Sequence, residues 1–289
     1  MPKTENNPAV DVLDLGDIDE PVLIFGGIYS NLQAAEALRC IAEEKNIPPE
    51  QCICTGDTVA YCSQPEETVD FIREWGVHCL LGNCEESLAN NADDCGCGFD
   101  NGSQCDVFSN QWFTFTNDKL SSEHRQWFSK LPRHIKFTIN KVSALVVHGS
   151  VSSINQFVFE STDKNIFAAE FSLAKSDMII SGHSGIPFTQ KIGNKTWHNS
   201  GAIGMPANDG TTKTWYSIIS PTKNNLLIEQ KKLNYNHNAT VEMMKINHIN
   251  DHYTDTLASG LWPSMDVLPA KEKKNFGIEI KECSHMIFK

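Results

Sequence analysis

Four apolar runs in this chain end in the same way. Ile53-Cys54-Thr55 leads into Gly56-Asp57, and Cys79-Leu80-Leu81 leads into Gly82-Asn83. Ala144-Leu145-Val146-Val147 leads into His148-Gly149, and Met178-Ile179-Ile180-Ser181 into Gly182-His183. Each run has the length and character of a buried strand, and each delivers a metal-capable side chain beside a glycine. One such ending is an ordinary turn. Four predict a layered α/β fold whose strand C-termini meet at one place, where ligand sites of such folds lie. The side chains gathered there are Asp57, Asn83, His148 and His183, the expected ligands of one metal. A carboxylate, an amide oxygen and two imidazoles suit Fe, Mn or Zn with positions left open for water or substrate.

The intervening segments fit that reading. Pro21 to Phe25 reads as a first strand, and Leu32, Ala35, Leu38, Ile41 and Ala42 recur at helical spacing. Pro48-Pro49 breaks that helix, and Pro65 to Trp75 forms a second amphipathic one, giving a βαβαβ start. An irregular insert follows Glu85 and runs to Trp112. A capped helix is then predicted from Ser121 to Leu131, with Pro132 just beyond it. Hairpins are predicted around Asn140-Lys141, around Gly193-Asn194 and across Pro221. Residues 1–20 are expected to be a flexible N-terminal segment, 21–235 the main domain, and 236–289 a mainly helical extension packing on it. Trp262-Pro263 is a candidate lid.

The 289 residues suffice for a sizeable core. Lys and Arg number 24 against 36 Asp and Glu, a net charge of −12 that speaks against a basic nucleic-acid groove. No apolar run is long enough for a bilayer, and the acidic start is unlike a secretory signal, so a cytoplasmic protein is expected. Ten cysteines in a reducing compartment should be thiols or metal ligands. Cys40, Cys52, Cys54 and Cys79 lie in apolar patterns and read as core. Cys62, Cys84, Cys95, Cys97 and Cys105 lie in loops or Gly-rich stretches.

Set out in order, Gly27-Ile28-Tyr29, Gly56-Asp57, Gly82-Asn83-Cys84-Glu85, His148 and Gly182-His183-Ser184-Gly185 resemble the motifs of the calcineurin-like metallophosphoesterase superfamily. The similarity points to its bacterial branch related to diadenosine-tetraphosphatase and small phosphodiesterases, over about residues 21–235. Asn199-Ser200-Gly201-Ala202-Ile203-Gly204 resembles a substrate-side loop of that family. The resemblance implies a four-layer αββα sandwich. It also implies a degenerate first metal site, because Gly27, Tyr29 and Gly185 stand where three of its ligands are expected. The ligand set of the second metal is complete as Asp57, Asn83, His148 and His183.

Cys84 stands at the position of the family's general acid, so Cys84 and Tyr29 are the candidate catalytic residues. Cys62, Cys95, Cys97 and Cys105 are candidate additional thiol ligands for a softer metal. Asn31, His198 and Asn199 are expected on the substrate side. The function implied is hydrolysis of a phosphoester or phosphoanhydride by a metal-bound water, acting on a small phosphorylated substrate. Two other readings stay open: a Cys-modified metalloenzyme doing redox or thiol-linked chemistry, and a non-catalytic metal-binding or sensor protein. The sequence leaves the oligomeric state open.

Overall fold

Alternation along single strands fixes the layering. In β2 (Val22–Phe25), Val22 and Ile24 enter one apolar cluster, and Leu23 and Phe25 enter another. In β6 (Val142–Val146), Ala144 and Val146 join the cluster of Val22 and Ile24, while Leu145 enters a third. The strands are thus buried on both faces, as their continuous apolar runs require. Two sheets face each other across the shared cluster, and helices cover the outer face of each.

The computed structural model describes residues 11–100, 102–249 and 252–288. The chain begins with β1 (Val12–Ile18), β2, α1 (Leu32–Glu44), β3 (Cys52–Cys54), α2 (Pro65–Trp75) and β4 (His78–Cys79). Then come α3 (Asn83–Ala89), α4 (Gln104–Lys119), α5 (Ser122–Phe128), β5 (His134–Ile139), β6 and α6 (Lys164–Ala174). Next are β7 (Met178–Ser181), β8 (Phe188–Ile192), β9 (Lys195–Asn199), β10 (Thr214–Pro221) and β11 (Asn225–Leu233). The last elements are α7 (His237–Ile246), α8 (His252–Ser259), α9 (Ala270–Lys273) and β12 (Cys283–Phe288). One sheet has the order β1-β5-β6-β7-β9-β8 and the other β12-β11-β10-β2-β3-β4. The β2-β3-β4 and β6-β7-β9 neighbours are parallel, so their C-terminal ends point the same way within each sheet.

Local chemistry sets the helix ends. Asn31 caps α1 by accepting the Ala34 N–H, and Pro65 opens α2 where its missing N–H costs nothing. Leu38, Val69, Ile72 and Trp75 bury the inner faces of these two helices under β2 and β3, with Trp75 stacked 5.8 Å from Phe25. Met244, Tyr253 and Leu257 of α7 and α8 enter the same cluster.

Four expectations are corrected. Residues 12–18, expected within a flexible lead-in, pair in parallel with β5 as an edge strand. The strand pattern is masked because the register shifts between Asp14 and Asp17, so Leu13, Leu15 and Ile18 reach the inter-sheet cluster out of simple alternation. Residues 1–10 of that segment lie outside the described residues. The C-terminal segment carries the expected helices as α7, α8 and α9, but it also ends in a strand that was not expected, β12, which pairs with β11. The insert after Glu85 is only partly irregular: α4 begins at Gln104 and places Cys105 in a helix, capped by Ser103. Cys40, expected in the core, is exposed on α1.

On the outer face of the first sheet, Trp197 is fully buried against Phe167 and Phe171 and donates to Ser181 Oγ at 2.9 Å. Trp197→Ala should therefore cost about 3–5 kcal/mol, read as a shift in the urea unfolding midpoint. A loss below about 1 kcal/mol would contradict the packing described.

Candidate metal centre and its cleft

The loop after β3 turns sharply at Gly56-Asp57. Gly56 has φ +98°, and a Cβ there would lie 2.7 Å from His148 Nδ1, so only glycine lets the imidazole approach. Asp57 itself holds φ +57°. The Glu85 carboxylate keeps it there by accepting backbone N–H bonds from Asp57 (2.9 Å), Thr58 (2.6 Å) and Val59 (3.3 Å). Glu85 also accepts the N–H of Gly82 at 3.0 Å, which ties the loop after β4 to the loop after β3. Asn83 and Cys84 follow directly, and the Cys84 N–H donates to Asp57 Oδ1 at 3.3 Å. This leaves Oδ2 of Asp57 facing inward.

The parallel pair β6 and β7 delivers the imidazoles. The N–H groups of Gly182 and His183 both donate to the carbonyl of His148, at 2.9 and 3.0 Å, locking the two loops together. His148 Nδ1 lies 2.7 Å from the Thr55 carbonyl, an acceptor, so Nδ1 carries the proton. Its Nε2 then lies 2.9 Å from Asn83 Oδ1, 3.1 Å from His183 Nδ1 and 3.3 Å from Asp57 Oδ2. The Asn83 amide is oriented by its Nδ2, which donates to the Cys95 carbonyl at 2.9 Å. Its oxygen therefore points into the cluster. Four acceptor atoms converge, and lone pairs held this close need a cation between them.

The electrostatics agree. Burial raises the Asp57 carboxyl, but the adjacent His148 imidazole outweighs it and leaves the group below the ordinary carboxylate range. Burial opposes charge on His148, and Asp57 reverses this, so that imidazole holds its proton above its usual value. Burial and then His148 push His183 down to about 3, which keeps it neutral. Burial and the neighbouring Asp57 push Glu85 up to about 7, against the pull of its backbone donors. The pair of imidazoles thus takes one proton, where a divalent ion fits. Among the described residues, Asp57, His148 and His183 are the one group of three ionisable or thiol side chains with ligand atoms within 4.8 Å of one another.

Other predicted site residues divide in two. Tyr29 is at the centre: its ring fills the space over Gly27, where a Cβ would lie 2.2 Å from Cζ and 2.5 Å from the hydroxyl. A Cβ on Gly185 would lie 3.8 Å from the same hydroxyl and 3.7 Å from Trp262. Cys84 and Cys97 are buried side by side, Cys97 also meets Cys95, and the Cys97 sulfur accepts from Asn83 Nδ2 at 3.3 Å. Burial holds the Cys84 and Cys97 thiols well above their usual range. Among the described residues, no thiol joins Asp57, His148 and His183 in that group. Cys62 is buried in the helical layer, with its N–H on the Tyr29 carbonyl.

Three substrate-side expectations are corrected. Asn31 is fully buried and committed to Ala34, Gly204, Tyr235 and Thr240. Asn199 supports the His183 loop, donating to Ser184 Oγ at 2.9 Å and accepting from Gly201 N at 2.8 Å. His198 is buried 2.9 Å from Thr189 Oγ1 and does not line the cleft.

That cleft, of ≈ 630 Å³ including open solvent, begins at His183 and Tyr29. Tyr61, Phe99, Phe157, Tyr253 and Trp262 wall it, with Cys105 at its edge. Trp262 is pinned by its indole N–H on the Pro206 carbonyl (2.7 Å) and its backbone N–H on Asn208 (2.8 Å). Trp262 was expected near the site as a candidate lid, but sequence patterns missed the other walls, because they come from loops and helix starts without periodicity. The Gly82-to-Glu85 spacing was the available signal for the carboxylate that ties the two loops.

The calcineurin-like phosphoesterase superfamily domain matches residues 22–222 of this chain, a span that includes Asp57, Asn83, His148 and His183. The chain belongs to this superfamily. This phosphoesterase is similar to an uncharacterized protein of Methanocaldococcus jannaschii, 24% identical over 215 residues, covering 68% of this chain and 82% of that protein. A crystal structure of a metallophosphoesterase from Sphaerobacter thermophilus shares the fold, with TM-score 0.66 and 20% identity, over 84% of this chain and all of that one (100%). A hypothetical protein from Pyrococcus horikoshii shares it with TM-score 0.70 and 17% identity, over 84% of this chain and 99% of that one. Membership makes the phosphoesterase a metal-dependent hydrolase in general class, using divalent ions. No described helix is long and apolar enough to cross a membrane.

Because a divalent ion must displace the proton held by His148, metal affinity should weaken as pH falls through the raised titration range of that imidazole. Calorimetry in buffers of different ionisation enthalpy should record proton release on binding. An affinity and heat independent of pH across that range would contradict the shared-proton arrangement.

Proposed function

We propose that this phosphoesterase hydrolyses a phosphoester with one divalent ion held by Asp57, Asn83, His148 and His183. The observation that carries the single-ion reading is the Tyr29 ring over Gly27, where any side chain would collide with it. That packing supports a centre that holds one ion rather than two. The donor chemistry fits: a carboxylate, an amide oxygen and two neutral imidazole nitrogens form a hard-to-borderline set for Fe, Mn or Zn.

When bound, the ion polarises a phosphoryl oxygen and acidifies water. The chain supplies the rest. Asp57 balances part of the ion's charge and is held by the Cys84 N–H and by Glu85 through its backbone. Thr55 fixes the tautomer of His148. Burial, and then Asp57, hold the Tyr29 phenol well above its usual value, so it stays protonated and serves as a hydrogen-bond donor to a substrate oxygen. Cys84 also stays protonated through burial, which supports a neutral neighbour rather than a thiolate ligand or nucleophile. The substrate is a small phosphorylated molecule and not a nucleic acid, in keeping with a net charge of −12.

Purified protein loaded with Mn should turn over bis(p-nitrophenyl) phosphate. His183→Ala should lose metal and turnover together. Tyr29→Phe should keep its metal while kcat falls about tenfold or more. Full metal occupancy in His183→Ala, or unchanged kcat in Tyr29→Phe, would contradict the corresponding role.

A further inference from the structure

We infer that the substrate is a monoanionic phosphodiester carrying an apolar aromatic ester group that lies in the cleft between Phe157, Trp262 and the Tyr29–Tyr61–Tyr253 rings. This rests on the hydrolase reading above and deepens it.

Charge selects the phosphoryl half. A divalent ion with Asp57 ionised and Asn83, His148 and His183 neutral leaves one net positive charge. A phosphodiester brings one negative charge and neutralises it. A phosphomonoester dianion or a polyphosphate brings more, and a surplus charge out of water is costly unless paired. The pairing groups are missing: among the described residues, no Lys or Arg lines the cleft. Glu85, behind Asp57, adds only negative charge when ionised.

Ring geometry selects the ester half. Phe157 packs 4.3 Å from His183 and continues to Phe99 at 6.2 Å, so an apolar wall starts at a metal ligand. Opposite, Tyr29 meets Tyr61 at 4.8 Å and Tyr61 meets Tyr253 at 4.4 Å. Trp262, half-buried and fixed through Pro206 and Asn208, is a preformed face that needs no ordering on binding. Flat rings between such faces gain stacking as well as burial.

Calorimetry on the Mn-loaded protein tests this with analogues that cannot be hydrolysed. Diphenylphosphinate, a monoanion with two rings, should bind about tenfold or more tighter than dimethylphosphinate. It should also bind more tightly than the dianion phenylphosphonate and than adenosine cyclic monophosphate, whose base edge needs polar partners. Phe157→Leu and Trp262→Leu should each lower the diphenyl-to-dimethyl affinity ratio several-fold at unchanged metal content, and Trp262→Phe should restore it. Equal binding of the two phosphinates, or tighter binding of the dianion or the nucleotide, would overturn the inference even if turnover persists. The aryl preference intact without any phosphoester turnover would keep the cleft assignment and remove the hydrolase reading.

Discussion

One carboxylate joins the two loops on which the centre depends. Glu85 accepts N–H bonds from Asp57, Thr58, Val59 and Gly82, bringing the ends of β3 and β4 together. These bonds work against the burial that pushes the Glu85 carboxyl up to about 7, and they hold Asp57 at positive φ. Without Glu85, four buried donors would lack partners and the loops that carry Asp57 and Asn83 would not be tied together. The ligand geometry is therefore a consequence of backbone tethering, one step removed from the ligands themselves.

The second constraint is that the tethered acceptors repel one another unless a cation lies between them. The His148 proton partly meets this need, and a divalent ion meets it better. On the other side of Asp57, the chain has invested in apolar surface. Tyr29 lies over Gly27 and Trp262 stands beside Gly185, so a hydroxyl and flat rings border the ion. Such a border suits an apolar ester group more than a second charge.

Much of this was legible in the sequence, for identifiable reasons. Asp57, Asn83, His148 and His183 each end an apolar run, and parallel strands necessarily bring their ends together. The two-sided burial of β2 and β6 follows from those same runs. What stayed hidden depends on contacts remote in sequence. Asn31 resembles a loop residue facing a site, yet its valences are taken by Gly204, Tyr235 and Thr240, which lie far along the chain. His198 sits beside the predicted loop, but strand alternation turns it away from the cleft toward Thr189. The edge strands β1 and β12 escaped notice because a register shift breaks one pattern and exposure weakens the other. The loop cysteines drew attention as soft ligands; Cys84 and Cys97 lie buried side by side next to Asn83, and burial holds their thiols above the usual range.

The central claim is a single cation bound by four side chains on loops after separate strands. Anomalous diffraction from crystals grown with Mn tests it directly. The account predicts one strong peak, about 2.0–2.4 Å from Asp57, Asn83, His148 and His183, with the Tyr29 ring still over Gly27. A second peak beside Gly27 and Gly185, or a sole peak at Cys84 and Cys97, would contradict it.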